Sequence, residues 1–383
     1  MQKQKNKQKG ITLIALVVTI IVLIILAGVS INMLVGENGI ITQTQRASQE
    51  TEQGQVEEQK QLAMLEAVMN TENQPYTDKN GDTAIIPVGF AVSQVDGENT
   101  VESGLVIIDK DGNEYVWIPV NDFNIFVQDL DYKVNNYSDN EYDFSYGYIN
   151  NEHYARMLDS VKKYKGFYIG RYEAGCQEAR YSKSDSIIKN DNYILPKSQK
   201  NLYPYNYVTR NQAQILARSL GNNDFNVSLM YGIQWDAVLR FITQNSSNSV
   251  NDGTEWGNYA DVIINFNNED IKNIRYAELN DWNLKTWKSI TSTDKKPVFT
   301  VRGNGWFLTT GASAKNKVLN IYDFSGNISE WTIETYNSSL YPICIRGGSG
   351  ETPAKEAPAT FRYLRTEEDS AYDTGFRVAL YLN

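Results

Sequence analysis

Asp323, Gly326, Ile328 and Glu330 stand at i, i+3, i+5 and i+7 through the glycine-containing run NIYDFSGNISEWT. That spacing lets two carboxylates and two main-chain carbonyls converge on one hard cation, the all-oxygen set that calcium prefers. A turn leading into a strand, with Asp323 capping the loop and Glu330 exposed, accounts for the same residues. Both readings stay open, and Ca2+ is the one cofactor the spacing suggests. Asp109, Asp111 and Asn113 also begin like a calcium loop, but the twelfth position is Val120, where a bidentate Glu is required. Asp111-Gly112 therefore reads as a hairpin turn between two β-rich runs.

Counting excludes other chemistries. The single histidine, His153, cannot build a multi-imidazole zinc or iron site. No GxSxG elbow accompanies it for a serine nucleophile. The two cysteines, Cys176 and Cys344, fit either one disulfide of an exported protein or two small buried hydrophobes. Lys and Arg total 36 against 46 Asp and Glu, a net charge of −10, and an acidic surface of this kind argues against nucleic acid as a partner.

The elements that must position these residues begin with a hydrophobic helix. Lys3, Lys5, Lys7 and Lys9 lead to Gly10, and no charge follows from Ile11 to Val35. At about 1.5 Å per residue such a helix reaches roughly 37 Å, enough for a hydrocarbon core of about 30 Å. With the positive charge on its amino side, the chain start stays cytoplasmic and the remainder lies outside. The helix is expected to continue as a polar stalk to about residue 70, with Leu62, Leu65, Val68 and Met69 at helical spacing. Residues 71–83 read as a linker and 84–383 as the globular domain. Within it the pattern predicts a hairpin over 105–120, an acidic tyrosine-rich insertion at 129–150, a strand at 166–175, and helices at 210–220 and 230–242. Short strands and loops follow to the C-terminus, so the fold class is α+β.

The run KGITLIALVVTII resembles the start of a type IV prepilin with its class III signal peptide. The resemblance implies that a prepilin peptidase cuts between Gly10 and Ile11. The leader 1–10 is then lost, and 11–70 remains as a transmembrane or stalk helix that packs with other pilin subunits. Where that family carries Glu five residues after the cut, this chain has Ala15. The departure points to a minor or tip subunit, or to a membrane-anchored receptor without a fibre.

NIYDFSGNISEWT (320–332), IRGGSG (345–350) and DTGFRVALYL (373–382) together resemble the formylglycine-generating, or sulfatase-modifying-factor, domain family, which has a C-type-lectin-like fold. FYIGRYEA, NQAQILARSL and GIQWDAVLRFI occupy the matching places upstream. The resemblance implies calcium ligation by the side chains of Asp323 and Glu330 and by the main chain at Gly326 and Ile328. It also implies a copper-binding cysteine pair three and eight residues after Ser349, but those positions hold Thr352 and Ala357. No catalytic residue is therefore expected. In such folds the stretch between RGGS and GFR displays contact side chains, which here implicates Glu351, Lys355, Tyr363, Arg365 and Glu367. The expectation is a lectin-like head on a bacterial cell surface that recognises an extracellular protein or glycan.

Overall fold

The computed structural model describes residues 40–128, 144–145, 152–266, 271–291, 293–336, 340 and 342–383. The processing site Gly10–Ile11, the apolar stretch to Val35 and most of the 129–150 insertion lie outside the described residues. Among the described residues no helix is long and apolar enough to cross a membrane. The chain divides into two compact units, Met1–Gln59 and Lys60–Asn383. In the first, the described residues are the Gln/Glu-rich part of helix α1 (Ile40–Met69), with side chains 51–55 exposed.

The second unit opens in the last turns of α1, where the apolar spacing proves to mark the outer face. Leu62, Leu65, Val68 and Met69 are exposed, while Ala63 and Ala67 are buried in the core. The segment 71–83 is a hairpin rather than a linker. Strand β1 (Gln74–Thr77) pairs antiparallel with β2 (Thr83–Ile86). The Asp78 carboxylate holds the turn by accepting from the Asn80 N–H at 2.8 Å and the Asp82 N–H at 3.0 Å. Such Asx capping supplies partners for turn N–H groups that no strand neighbour can reach.

Strands β3 (Phe90–Val92), β4 (Val106–Asp109) and β5 (Glu114–Pro119) come next, then helix α2 (Glu152–Tyr164) and strand β6 (Gly166–Gly170). Helix α3 (Arg210–Arg218), strand β7 (Phe225–Leu229) and helix α4 (Gly232–Asn245) follow. After them run β8 (Arg275–Asn280), β9 (Asn283–Leu284), β10 (Gly305–Leu308) and β11 (Ser329–Tyr336). The chain closes with β12 (Ile343–Arg346), β13 (Arg362–Arg365), β14 (Thr374–Phe376) and β15 (Val378–Leu382).

The main sheet has the order β7-β15-β6-β5-β4-β3, every neighbour antiparallel. Its strands are apolar on both faces, and period-two alternation sends successive side chains to two different cores. Val116, Ile118, Phe167, Ile169 and Ala379 enter a cluster with Val161 of α2 and Ile233 and Val238 of α4. Tyr115, Trp117, Tyr168 and Leu380 enter a second, with Leu216 of α3 and with Trp331 and Ile345. The β4–β5 hairpin turns at Asp111-Gly112 as the sequence predicts, with Gly112 at φ +77° and Asp109 accepting from the Asp111 and Asn113 N–H groups. Helix α3 starts with a capping box between Thr209 and Gln212. Both later helices fall within a few residues of their expected places.

A smaller sheet runs β13-β12-β11-β14, with β11 and β14 parallel and Phe144–Ser145 paired to the far end of β11. A third is built on β8, flanked by β9, β10 and Lys288–Ser289. Cys176 and Cys344 are buried and unbridged. Burial pushes the Cys176 thiol up to about 12 and the Cys344 thiol well above its usual range, so neither is a ready thiolate.

Candidate functional site

Most motif charges lock the frame. Arg377 of the GFR block donates to Glu330 through Nη2 at 2.8 Å and Nε at 3.1 Å, and to the Tyr322 and Gly170 carbonyls. Asp323 accepts from the Gly311 N–H at 2.6 Å and the Asn316 amide at 3.2 Å. Glu173 beside them accepts from the Asn327 amide and the Ile328 N–H. Burial pushes Asp323 up to about 6 and Glu330 up to about 7, each partly held back by Arg377.

The calcium set does not fit this arrangement. All six carboxylate oxygens of Glu173, Asp323 and Glu330 face N–H donors, and a guanidinium sits where a cation would have to approach. Among the described residues no group of three His, Cys, Asp or Glu side chains is placed to hold a metal ion. Gly326 serves a different purpose. At φ +80° it lies against the Asn258 backbone, where a Cβ would stand 2.4 Å from a carbonyl oxygen.

Arg346 of the RGGS block belongs to a second buried lock. It reaches Asp236 of α4 at 2.9 Å and Glu334 of β11 at 2.8 Å, and Arg362 of β13 reaches the same two acids at 2.9 and 2.5 Å. Two acids and two arginines, all buried, thus tie α4 to three strands.

Beyond Arg346 the chain leaves β12 through Gly347 and Gly348, at φ +90° and +68°. A Cβ on Gly348 would stand 2.1 Å from the Ala357 carbonyl oxygen. This tight return folds 348–361 into one wall of a cavity of about 700 Å³. Ile345, Tyr363 and Arg365 of β12 and β13 supply a second wall, and Tyr372 and Asp373 a third. Trp282 and Arg302 reach in from the ends of the third sheet, the one built on β8. Thr352 and Ala357, the two positions at which the sequence resemblance leads one to expect thiols, both line this cavity.

Aromatic side chains and charges share the lining. Phe361 and Tyr363 stack with ring centroids 6.0 Å apart, and the Arg365 guanidinium lies 5.2 Å over the Tyr363 ring. Arg365 pairs with Asp373 at 3.1 Å, and Arg302 with Glu356 at 3.7 Å. Glu351 is buried, and its carboxyl accepts from the Tyr372 hydroxyl at 3.1 Å. Among the described residues no basic side chain is paired with it. Burial and the neighbouring Asp373 push Glu351 up to about 8. The Ser349 hydroxyl, buried in the same lining, has no hydrogen-bond partner.

Of the expected contact residues, Glu351, Tyr363 and Arg365 line the cavity. Lys355 and Glu367 do not. Lys355 points outward from the loop and pairs with Asp252 at 3.6 Å, and Glu367 is exposed in the turn after β13. Sequence reasoning missed Trp282, Arg302, Phe361, Tyr372 and Asp373. Trp282 left one signal: it occupies the second position of a two-residue hairpin turn, where Gly or Asn is usual. Register Asn280↔Asn283 makes Asp281 and Trp282 that turn, at φ +48° and +61°. Its indole lies on Gly303, where a Cβ would stand 2.6 Å from the ring. It is 59% exposed.

The chain belongs to the sulfatase-modifying factor enzyme 1-like domain family, whose model matches residues 109–382. It is similar to the crystal structure of CarF, at 14% identity over 57% of this chain and 87% of that one, with a TM-score of 0.36. Treponema denticola variable protein 1 matches at 12% identity over 56% of this chain and 84% of that one, TM-score 0.31. PvdO from Pseudomonas aeruginosa matches at 14% identity over 57% and 82%, TM-score 0.30. No curated protein sequence matches the chain.

Proposed function

We propose that this protein is a non-catalytic recognition module whose ligand enters the cavity beside RGGS. A single observation carries the reading: Thr352 and Ala357 line the cavity at the positions of the expected copper ligands, beside a lining that includes four aromatic and five charged side chains. The two cysteines support it as well, being buried away from the cavity with raised pKa values. In its lectin-like setting, with a prepilin-type leader before Ile11, the head is carried at a bacterial cell surface as a minor or tip pilin. Membrane anchoring without a fibre is the alternative, and the mature N-terminus separates the two. A chain beginning at Ile11 in sheared surface material supports the pilus, and an intact leader found only in membranes supports the anchor.

The binding claim is tested with the full chain in detergent on arrays of glycans and extracellular proteins. Saturable retention that is lost in a Trp282→Ala, Tyr363→Ala double variant of unchanged Tm is the expected result. Copper- or iron-dependent oxygen consumption that disappears in the Cys176→Ser, Cys344→Ser variant would overturn it.

A further inference from the structure

The charges lining the cavity do not balance. Three carboxyls, Glu351, Glu356 and Asp373, face two guanidiniums, Arg302 and Arg365. Both guanidiniums are paired, with Glu356 and Asp373 respectively, and Glu351 is left over. It is buried, and the hydroxyl donated by Tyr372 does not compensate a full negative charge. The buried Ser349 hydroxyl beside it also lacks a partner. Around these groups stand Trp282, Phe361, Tyr363 and Tyr372, aromatic faces of the kind that attract cations and cover an alkyl stem. Trp282 and Tyr363 are exposed at the rim together with Arg302, and Trp, Tyr and Arg are the residues that most often anchor protein interfaces. The chain as a whole is acidic, which favours encounter with a basic partner.

Resting on the recognition reading above, we infer that the cavity takes the ammonium or guanidinium end of a lysine or arginine side chain presented by a partner protein, with Glu351 as counter-ion and the aromatic wall around the stem. The bound nitrogen forms an ion pair with the Glu351 carboxylate and a hydrogen bond to the Ser349 hydroxyl. In the empty cavity burial and the adjoining Asp373 carboxyl disfavour the charge of Glu351, while the Tyr372 hydroxyl and Arg365 favour it. Binding of a cation therefore releases the Glu351 proton near neutral pH and tightens as the pH rises.

Isothermal titration of the full chain in detergent tests this with three pentapeptides, Gly-Gly-Xaa-Gly-Gly with blocked ends, in which Xaa is lysine, arginine or the neutral isostere norleucine. Free n-butylammonium is the fourth probe. We expect the lysine or arginine peptide to bind at least tenfold more tightly than the norleucine peptide. We expect that margin to grow from pH 6 to pH 8.5, with proton release seen as a dependence of the heat on buffer ionisation. Glu351→Gln, an isosteric change, should abolish both the margin and the proton release, and Trp282→Ala should weaken all three peptides. Equal binding of the norleucine peptide, a margin that survives in Glu351→Gln, or no binding at 10 mM overturns the inference. Butylammonium binding as tightly as the peptides overturns the protein source in favour of small amines. If no cation binds but array retention still depends on Trp282 and Tyr363, the cationic assignment falls while recognition stands. If retention is also indifferent to them, both fall.

Discussion

Two charged regions of this domain lie near each other in sequence and are built on opposite principles. The lock of Asp236, Glu334, Arg346 and Arg362 is closed: two acids meet two arginines, every side chain is buried, and each acid is shared. The cavity is open: two arginines are paired at its edge and Glu351 is left without a cation. Arg346 ends β12, and Glu351 lies five residues further along, past the two glycines. Balanced charges in a dry interior specify how elements dock. Unbalanced charge in a solvent-reachable cavity is held for something that arrives.

The lock should be the more fragile under substitution. Arg346→Met leaves two buried carboxylates to share the single guanidinium of Arg362 and should cost about 3–5 kcal/mol. At roughly 2–4 °C per kcal/mol, that lowers the Tm by about 6–20 °C in a thermal melt. Arg365→Met at the cavity edge breaks a partly exposed pair, worth about 1 kcal/mol or less, and should move the Tm by only about 2–4 °C. Equal losses in the two variants would erase the distinction between lock and cavity.

Glu351 sharpens the comparison through pH. Its folded pKa, about 8, lies above the ordinary carboxyl value of 4.5. The folded state therefore holds a proton that the unfolded chain releases. That contribution is fully present below about pH 4.5 and is lost as the pH rises through about 8. Glu351→Gln keeps the neutral form at every pH and should stabilise the protein by roughly 1–3 kcal/mol at pH 8.5 relative to pH 5. Melts of both proteins across that range check it, and parallel curves would show that Glu351 is charged throughout.

Trp282→Gly should separate stability from binding. Glycine suits a turn position at φ +61° where tryptophan does not, and relief of about 1 kcal/mol offsets the lost packing on Gly303. The Tm should change by no more than about 2 °C while ligand retention is lost. A large fall in Tm would make Trp282 a structural residue. The smallest effect concerns calcium. With Arg377 seated on Glu330, 2 mM CaCl2 or EDTA should shift the Tm by less than about 1 °C. A rise of more than about 5 °C would mean that Arg377 yields its place to the cation.

Several features were legible because their causes are local. The Asp111-Gly112 turn and the apolar periodicity of α4 each act within a few residues, and each appears where the sequence puts it. The order of the three motif blocks sufficed for the family. The blocks did not disclose that Arg377 sits on Glu330 or that Arg346 meets Asp236 110 residues away. Leu62, Leu65 and Met69 share a helical spacing yet are exposed, since periodicity gives a face without saying which side the core is on. Lys355 and Glu367 shared a loop with Glu351 and not its cavity, since neighbours on an irregular loop point in unrelated directions.

The sequence by itself determined the family, the main helices and hairpins, the net negative charge, and the residues Thr352 and Ala357 after the RGGS block. These follow from composition, local spacing and residue identity. Only the tertiary structure decided which charges are spent inside and which face a cavity. It alone brought Trp282, Glu351, Tyr363 and Tyr372 to one place from three separate stretches of chain. Charge compensation depends on distance in space, and sequence separation does not set that distance until the whole chain has packed.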